Sequence, residues 1–301
     1  MREPSVRETA AVCDLLCALP AVTGGPTLFA KNSDRPPQEV QLVEWLPSRT
    51  DIDVTEATHV AVAAHPHPTI GILGSRPAWG WGLEHGVNAA GVAAGNATIY
   101  TTLDPRPFPD ALTGMDLVRL ALERAATAAA AVDTIRHLLV SAGQGGSCHE
   151  TGRRPSWSSF LVADATSAFV IETSGADCAV EAVDRVRATS NRTTIAAFDA
   201  EHRHPSQPVA DLVDPRLRAS QAVLESEPVT VAALQRHLAS HDGGADGWTV
   251  CMHVEGPEHP EATTSSMVAE LAVDGPPIAH VLVGSPCIGT FRRIEVEAAP
   301  D

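Results

Sequence analysis

The chain has 301 residues, enough for one large α/β domain or two average domains of about 150 residues each. It is 44% hydrophobic and 19% charged, with mean hydropathy near zero, a globular composition that excludes a fibrous or disordered chain. Lys plus Arg number 21 against 37 Asp plus Glu, a formal net charge of −16; a nucleic acid or an anionic membrane surface needs clustered cations, so neither is an expected partner.

No apolar run approaches the roughly 20 residues that span a bilayer. The first dozen residues, M-R-E-P-S-V-R-E-T-A-A-V, mix two Arg with two Glu and lack the apolar core of a secretory signal. Six Cys in this length are too dilute for a disulfide scaffold, and a cytoplasmic location is expected. Two residue types are scarce: Lys31 is the sole lysine beside 20 Arg, and Asn occurs only at Asn32, Asn88, Asn96 and Asn191. In a chain so rich in Ala, Arg, Gly and Pro, these retained residues draw attention.

In chain order, Cys13 to Pro20 and Thr27 to Ala30 read as strands joined by a Thr-Gly-Gly-Pro turn, and Gln38 to Leu46 alternates as a half-buried strand. Apolar runs follow at His59 to Ala64 and Thr69 to Leu73. A Gly- and Trp-rich loop is expected from Ser75 to Gly82, and tight turns from Gly86 to Asn96, where Gly recurs every few residues. Thr113 is an N-cap for a helix from Gly114 to Ala125, and Thr127 caps a second helix ending near Gly143. Four short strands follow Ser158. Two helices, Pro215 to Glu225 and Thr230 to Ser240, precede strands at Trp248 to Val254, Ser266 to Val273, His280 to Val283 and Thr290 to Val296. Strands and helix pairs in alternation imply antiparallel sheet covered by helices, in a single domain from residue 13 to 301 behind a short leader, residues 1–12.

The phosphate-loop, zinc-helix, nucleophile-elbow and dinucleotide signatures are absent. Cys13 and Cys17 lie about 13 Å apart along a strand, beyond disulfide reach, and have to be considered separately. His65 with His67, and His202 with His204, read as solvated loops, with no Cys or carboxylate partner at a recognised ligand spacing. Cys251 and His253 share one face of a strand, as packed or site-lining residues. No metal and no cofactor is expected. What distinguishes the opening is a Cys at the start of a strand behind a short leader, with the next strand ending in K-N-S-D. That layout suits an N-terminal nucleophile hydrolase, in which cleavage before the nucleophile frees an α-amine as its general base. Such an amine, with a reference pKa near 7.7–8.0, is deprotonated at neutral pH without much tuning.

Read whole, the sequence resembles the secernins and the dipeptidase A-type cysteine peptidases. C-D-L-L-C-A-L-P with F-A-K-N-S-D-R-P-P-Q-E-V-Q is similar to the family's opening, and P-A-W-G-W-G-L-E-H-G-V-N-A-A-G-V-A-A-G-N to its Trp- and Gly-rich stretch. G-Q-G-G, S-F-L-V-A-D, T-S-N, C-M-H, T-T-S-S-M-V-A-E-L and G-S-P-C-I-G-T-F follow in the family's order. The resemblance implies a four-layer αββα sandwich and cysteine-dependent hydrolysis of amide bonds in dipeptides or small peptides. Alternatives are an acylase of small N-acyl substrates and a non-catalytic regulatory protein. It implies Cys13 as nucleophile and most reactive thiol, Asp34 orienting its freed amine, Lys31 lowering its pKa, and Asn96 and Asn191 as oxyanion donors. Asn88 is read as a turn residue and Asn32 as support beside Asp34. Trp79, Trp81 and His253 are expected to line the substrate pocket, and a homo-oligomer is possible. Cys287 and Arg292-Arg293 depart from the family's pattern.

Overall fold

The computed structural model describes residues 12–50, 53–63, 65–205, 209–226, 228–256 and 260–297. The expected leader therefore lies outside the described residues, apart from Val12. The chain begins with β1 (Cys13–Ala18), a one-turn α1 (Pro20–Thr23), β2 (Thr27–Arg35) and β3 (Gln41–Leu46). The short β4 (Val54–Glu56) and β5 (Ala61–Ala63) precede β6 (Ile72–Pro77), β7 (His85–Asn88) and β8 (Ala93–Ile99). Helices α2 (Gly114–Arg124) and α3 (Ala128–Ser141) lead to β9 (Trp157–Ala163), β10 (Ala168–Ser174), β11 (Asp177–Ala182) and β12 (Val186–Thr189). Then come α4 (Ala196–His202), α5 (Val209–Leu212), α6 (Asp214–Glu225) and α7 (Val231–Leu238). The chain closes with β13 (His253–Val254), β14 (Glu261–Leu271), β15 (Ile278–Val283) and β16 (Arg292–Glu295).

These strands build two seven-stranded antiparallel sheets. One runs β12-β1-β2-β14-β15-β16 with β13 also on β14; the other runs β11-β10-β9-β8-β7-β6-β3. The alternation along β1 shows why they stack. Cys13, Leu15 and Cys17 point between the sheets into a core shared with Val87, Ala93 and Leu161. Leu16 and Ala18 point the other way, where Leu28, Ala30 and Val268 pack under Leu224, Leu234 and Leu238 of α6 and α7. The outer face of the second sheet, with Ala94, Phe160 and Val162, is covered by Leu117, Leu122, Ile135 and Leu138 of α2 and α3. Helix pair, sheet, sheet, helix pair is the expected four-layer αββα sandwich. Among the described residues no helix is long and apolar enough to cross a membrane.

Local signals account for the helix starts. Thr113 accepts from the Asp116 amide while the Asp116 carboxylate accepts from the Thr113 amide, a complete capping box. Thr127 and Thr230 cap α3 and α7. The expected turns from Gly86 to Asn96 are instead the paired strands β7 and β8. Glycine serves packing there: a Cβ at Gly86 would lie 3.0 Å from the Leu73 carbonyl oxygen and 3.1 Å from the Leu122 side chain. Likewise β6 extends through Pro77, into the stretch read as a loop, because it pairs with both β3 and β7. Trp248 to Met252 is not a strand: Thr249 makes an isolated antiparallel bridge with Gly243, and His253 and Val254 pair at the edge of β14.

Asn88 is the turn residue it was expected to be, and it fastens two layers. Its Nδ2 donates to the carbonyls of Leu122 and Ala125 at 2.8 Å each, and its Oδ1 accepts from the amides of Ala90 and Val92. Asn88→Ala removes partners from four backbone groups, three of them in the buried residues Val92, Leu122 and Ala125. At about 1–3 kcal/mol for each stranded group, less what solvent recovers, the fold loses about 3 kcal/mol or more, read as a lowered urea midpoint with unchanged slope.

Candidate active site

Cys13 opens β1 opposite Ser33 of β2, and Leu15 lies opposite Lys31, so the thiol, the hydroxyl and the ammonium share the face between the sheets. Lys31 Nζ lies 3.2 Å from Cys13 Sγ, 2.8 Å from Ser33 Oγ and 3.4 Å from Glu84 Oε2. Its stem passes over Gly95 of β8, where a Cβ would lie 2.8 Å from Lys31 Cδ. Ser33 accepts from Lys31 and its hydroxyl shares a second hydrogen bond with His85 Nδ1 at 3.1 Å. Burial, reinforced by Lys31, holds His85 well below the usual imidazole range, so it stays neutral. The second Glu84 oxygen faces Arg35 at 3.4 Å, and Arg35 in turn grips Glu39 at 2.7 Å.

Lys31 is completely buried. Burial alone would lower its pKa, but interaction with Cys13 and with the Glu84 carboxylate outweighs this and raises it, so it remains an ammonium. Lys31 pulls the thiol pKa down, as expected from the sequence, but burial prevails and pushes Cys13 up to about 11. With the Val12–Cys13 peptide bond intact, the pair is therefore a thiol beside an ammonium. In that state Lys31 by itself does not bring the thiol into the neutral range, and the expected reactivity of Cys13 rests on the freed amine as well.

The Cys13 nitrogen is held by Asn191. Asn191 Oδ1 accepts the Cys13 N–H at 2.8 Å and a guanidinium N–H of Arg216 at 3.3 Å, while its Nδ2 donates across to the Thr98 carbonyl of β8. Asn191 thus takes the nitrogen-orienting position expected of Asp34, and its Nδ2 serves the Thr98 carbonyl where an oxyanion donor was expected. Asp34 sits one residue beyond Ser33, with its side chain on the opposite face of the sheet. Its Oδ1 accepts from Thr263 Oγ1 at 2.6 Å, and its Oδ2 is buried without a hydrogen-bond partner. Burial and the neighbouring Asp14 charge push Asp34 up to about 8. Beneath it, Asp14 and Arg216 form a fully buried ion pair at 2.7 Å.

Other expected residues lie elsewhere. Asn96 points to the helix-covered face of the second sheet, beside Gly114 of α2, because Gly95 occupies the inward position of the alternation. It does not reach the thiol. Trp81 lies on that outer side as well, under Arg119, whose guanidinium carbon is 3.9 Å from the ring centroid. Trp79 lies under Arg35, 5.9 Å from centroid to guanidinium carbon, and so borders the buried charge network. His253 belongs to another cluster: its Nε2 lies 3.3 Å from Cys251 Sγ and 3.2 Å from Cys287 Sγ, with the His241 ring 5.1 Å away. Together these four could hold a metal ion, against the expectation of no metal ligands. The sequence reading passed over Glu84, Ser33, Arg35, Asp14 and Arg216. Ser33 and Arg35 carried a signal, since period-2 alternation from Lys31 puts both on its face; Glu84 and Arg216 are too distant in sequence for any.

Cys17 is a buried hydrophobe, with its thiol pushed up to about 12 by burial, and the described cysteines are all free thiols. Asn32 is structural, as read: its Nδ2 donates to the carbonyls of Leu238 and Val250, and its Oδ1 accepts from Ser266.

Two outcomes follow for the uncleaved chain. Cys13 alkylation should accelerate only at strongly alkaline pH, approaching 11, with the partly exposed Cys178 and Cys287 labelled before it. Lys31→Met should slow Cys13 further by removing the cation, and peptide-resolved labelling over a pH series reads both. Asp34 holds a proton in the folded chain that the unfolded chain releases, so its contribution to stability erodes as pH rises from about 4 towards 8. Denaturant titrations should show Asp34→Asn gaining on the parent chain across that window.

No protein-family model matches the chain. Among solved structures, it is similar to a variant of conjugated bile acid hydrolase from Clostridium perfringens at a TM-score of 0.57 and 11% identity, covering 96% of this chain and 99% of that one. A second variant of the same hydrolase aligns at a TM-score of 0.54 and 11% identity, over 95% of this chain and 97% of that one. At so low an identity the likeness is one of fold, and it runs nearly the whole length of both chains. The architecture of this chain is the N-terminal nucleophile hydrolase fold.

Proposed function

We propose that the protein is a cysteine-dependent N-terminal nucleophile hydrolase that cleaves amide bonds of dipeptides or other small peptides once the Val12–Cys13 bond is broken. The observation that carries this reading is the placement of Cys13 at the start of β1, with its thiol 3.2 Å from the Lys31 ammonium and its nitrogen 2.8 Å from Asn191 Oδ1. The secernin-like and dipeptidase-like motifs supply the substrate class.

In the uncleaved chain the neighbours of the thiol are an ammonium and a neutral hydroxyl, and neither is a base. Cleavage turns the Cys13 amide nitrogen into an amine on the atom Asn191 already holds. The unpartnered Oδ2 of Asp34, on the strand paired with β1, is the kind of buried group that a nearby ammonium satisfies. The amine takes the thiol proton as the sulfur attacks the substrate carbonyl carbon. The C–S bond forms, the C–N bond breaks, and the ammonium gives its proton to the leaving nitrogen. Water then hydrolyses the thioester, with the amine again accepting and the thiol regaining a proton. Lys31 favours the thiolate throughout, while its pairing with Glu84 keeps the site near neutral.

A second reading, hydrolysis of small N-acyl amides by the same machinery, draws on the conjugated bile acid hydrolase structures that share the fold. A parallel screen of dipeptides and N-acyl amides separates the two. The test of the shared chemistry starts with intact mass and N-terminal sequencing, which should begin C-D-L-L. Cys13→Ala should abolish turnover. Asn191→Ala should lower kcat by up to the roughly 10²–10⁴-fold that a positioned general base contributes. Freeing the amine should also move the Cys13 alkylation profile down towards pH 8. Full activity in a chain that still begins at Met1 would overturn the mechanism. Correct cleavage without turnover of either substrate class would favour the non-catalytic alternative.

A further inference from the structure

A second side-chain cluster lies beside the start of β14, at the same end of the first sheet as Asp34, and takes no part in the proposed hydrolysis. His241 follows α7, Cys251 and His253 enter β13, and Cys287 comes from the loop between β15 and β16. One ligand atom from each lies within 4.8 Å of every other. A tetrahedron with metal–sulfur bonds near 2.3 Å and metal–nitrogen bonds near 2.0–2.1 Å has edges of about 3.4–3.8 Å. The two S···N separations, 3.3 and 3.2 Å, are already close to such edges.

Hydrogen bonding alone serves this cluster poorly. Cys251 also hydrogen-bonds to Cys287, but the single His253 Nε2 facing both sulfurs can accept one S–H or donate one N–H, and among the described residues no hydrogen bond reaches the His241 ring. One cation satisfies both sulfurs and both imidazoles together. Two thiolates and two neutral imidazoles around a divalent ion also sum to zero charge, which suits a half-buried place.

We propose that His241, Cys251, His253 and Cys287 form a closed, structural S₂N₂ site for a zinc-type divalent cation. Binding forms two metal–sulfur and two metal–nitrogen bonds, and the two thiol protons leave to solvent. Four protein ligands fill the tetrahedron and leave no position for a substrate or an attacking water. Sequence spacing gave no hint of it, because the ligands come from three separate segments and follow no zinc-finger pattern.

The site fastens the 241–253 loop, which supports the catalytic face at two points. Gly243 of that loop packs against the stem of Arg216, where a Cβ would lie 2.7 Å from Arg216 Cγ. The Met252 amide donates to Thr263 Oγ1, which itself donates to Asp34. A metal at this site thus braces the supports of Asp34 and Asn191 without touching Cys13.

The test uses the full chain without a histidine tag. Elemental analysis of protein purified without chelators should find about one zinc per chain. After reductive chelation, zinc should rebind against a chromophoric competitor and raise the melting temperature, and Co²⁺ should give thiolate-to-metal charge transfer with tetrahedral ligand-field bands. Cys287→Ser and His241→Gln should each weaken zinc binding by more than the roughly 10- to 100-fold cost of losing an outer-shell partner. His241 is solvent-exposed, so its substitution leaves the fold intact and keeps the test decisive. Cys178→Ser and Cys13→Ala should bind as the parent does, and the latter separates this site from the hydrolase reading. Failure of the reduced chain to bind zinc, indifference of binding to both ligand variants, or a Cys251–Cys287 disulfide persisting with zinc and reductant would each overturn the site.

Discussion

The structure turns on the burial of one cation. Lys31 has no solvent exposure, and an ammonium stripped of water is costly unless anions and hydrogen-bond acceptors surround it. Its partners come from both sheets: Cys13 and Ser33 from the first, Glu84 from the turn that feeds β7 in the second. Gly95 clears the path for its stem, and Arg35 with Glu39 balances the second oxygen of Glu84. Removing one member of such a set strands a buried charge, at a cost of about 3–5 kcal/mol. The spacing of the two sheets at this end is therefore fixed by the requirement that keeps a cation against the thiol.

The same constraint explains the state of the Cys13 thiol. Burial raises the thiol pKa further than Lys31 lowers it, and among the described residues Glu84 is engaged by Lys31 and Arg35 and His85 meets Ser33, so neither is paired with the thiol. The proposed hydrolysis at Cys13 therefore needs a proton acceptor delivered to the start of β1. The Cys13 nitrogen is the atom already placed there, and Asn191 links it to both the other sheet and the Asp14–Arg216 pair. Two buried charge systems, one on each face of the first sheet, thus meet at a single residue.

Much of the layering was legible in the sequence. The caps Thr113 and Thr127, the alternation in β1 and the order of helix pairs and strands are local properties, and local properties survive folding. Glycines in β7 and β8 misled because they mark close approach to neighbouring layers as readily as turns. The scarce residues were informative: Lys31, Asn32, Asn88 and Asn191 each satisfy several buried groups. Asn96 stands in the same motif, yet the two-residue period turns it away from the thiol.

The sequence by itself determined the helix starts, the strand alternation and the identity of a cysteine opening a strand opposite K-N-S-D, because each depends on residues within a few positions of one another. The tertiary structure alone decided which charges neutralise Lys31, that Asn191 rather than Asp34 holds the Cys13 nitrogen, and that four distant Cys and His side chains converge. Glu84, Arg216 and Cys287 lie tens to hundreds of residues from their partners. Their encounters follow from sheet stacking and loop closure, which no local spacing encodes.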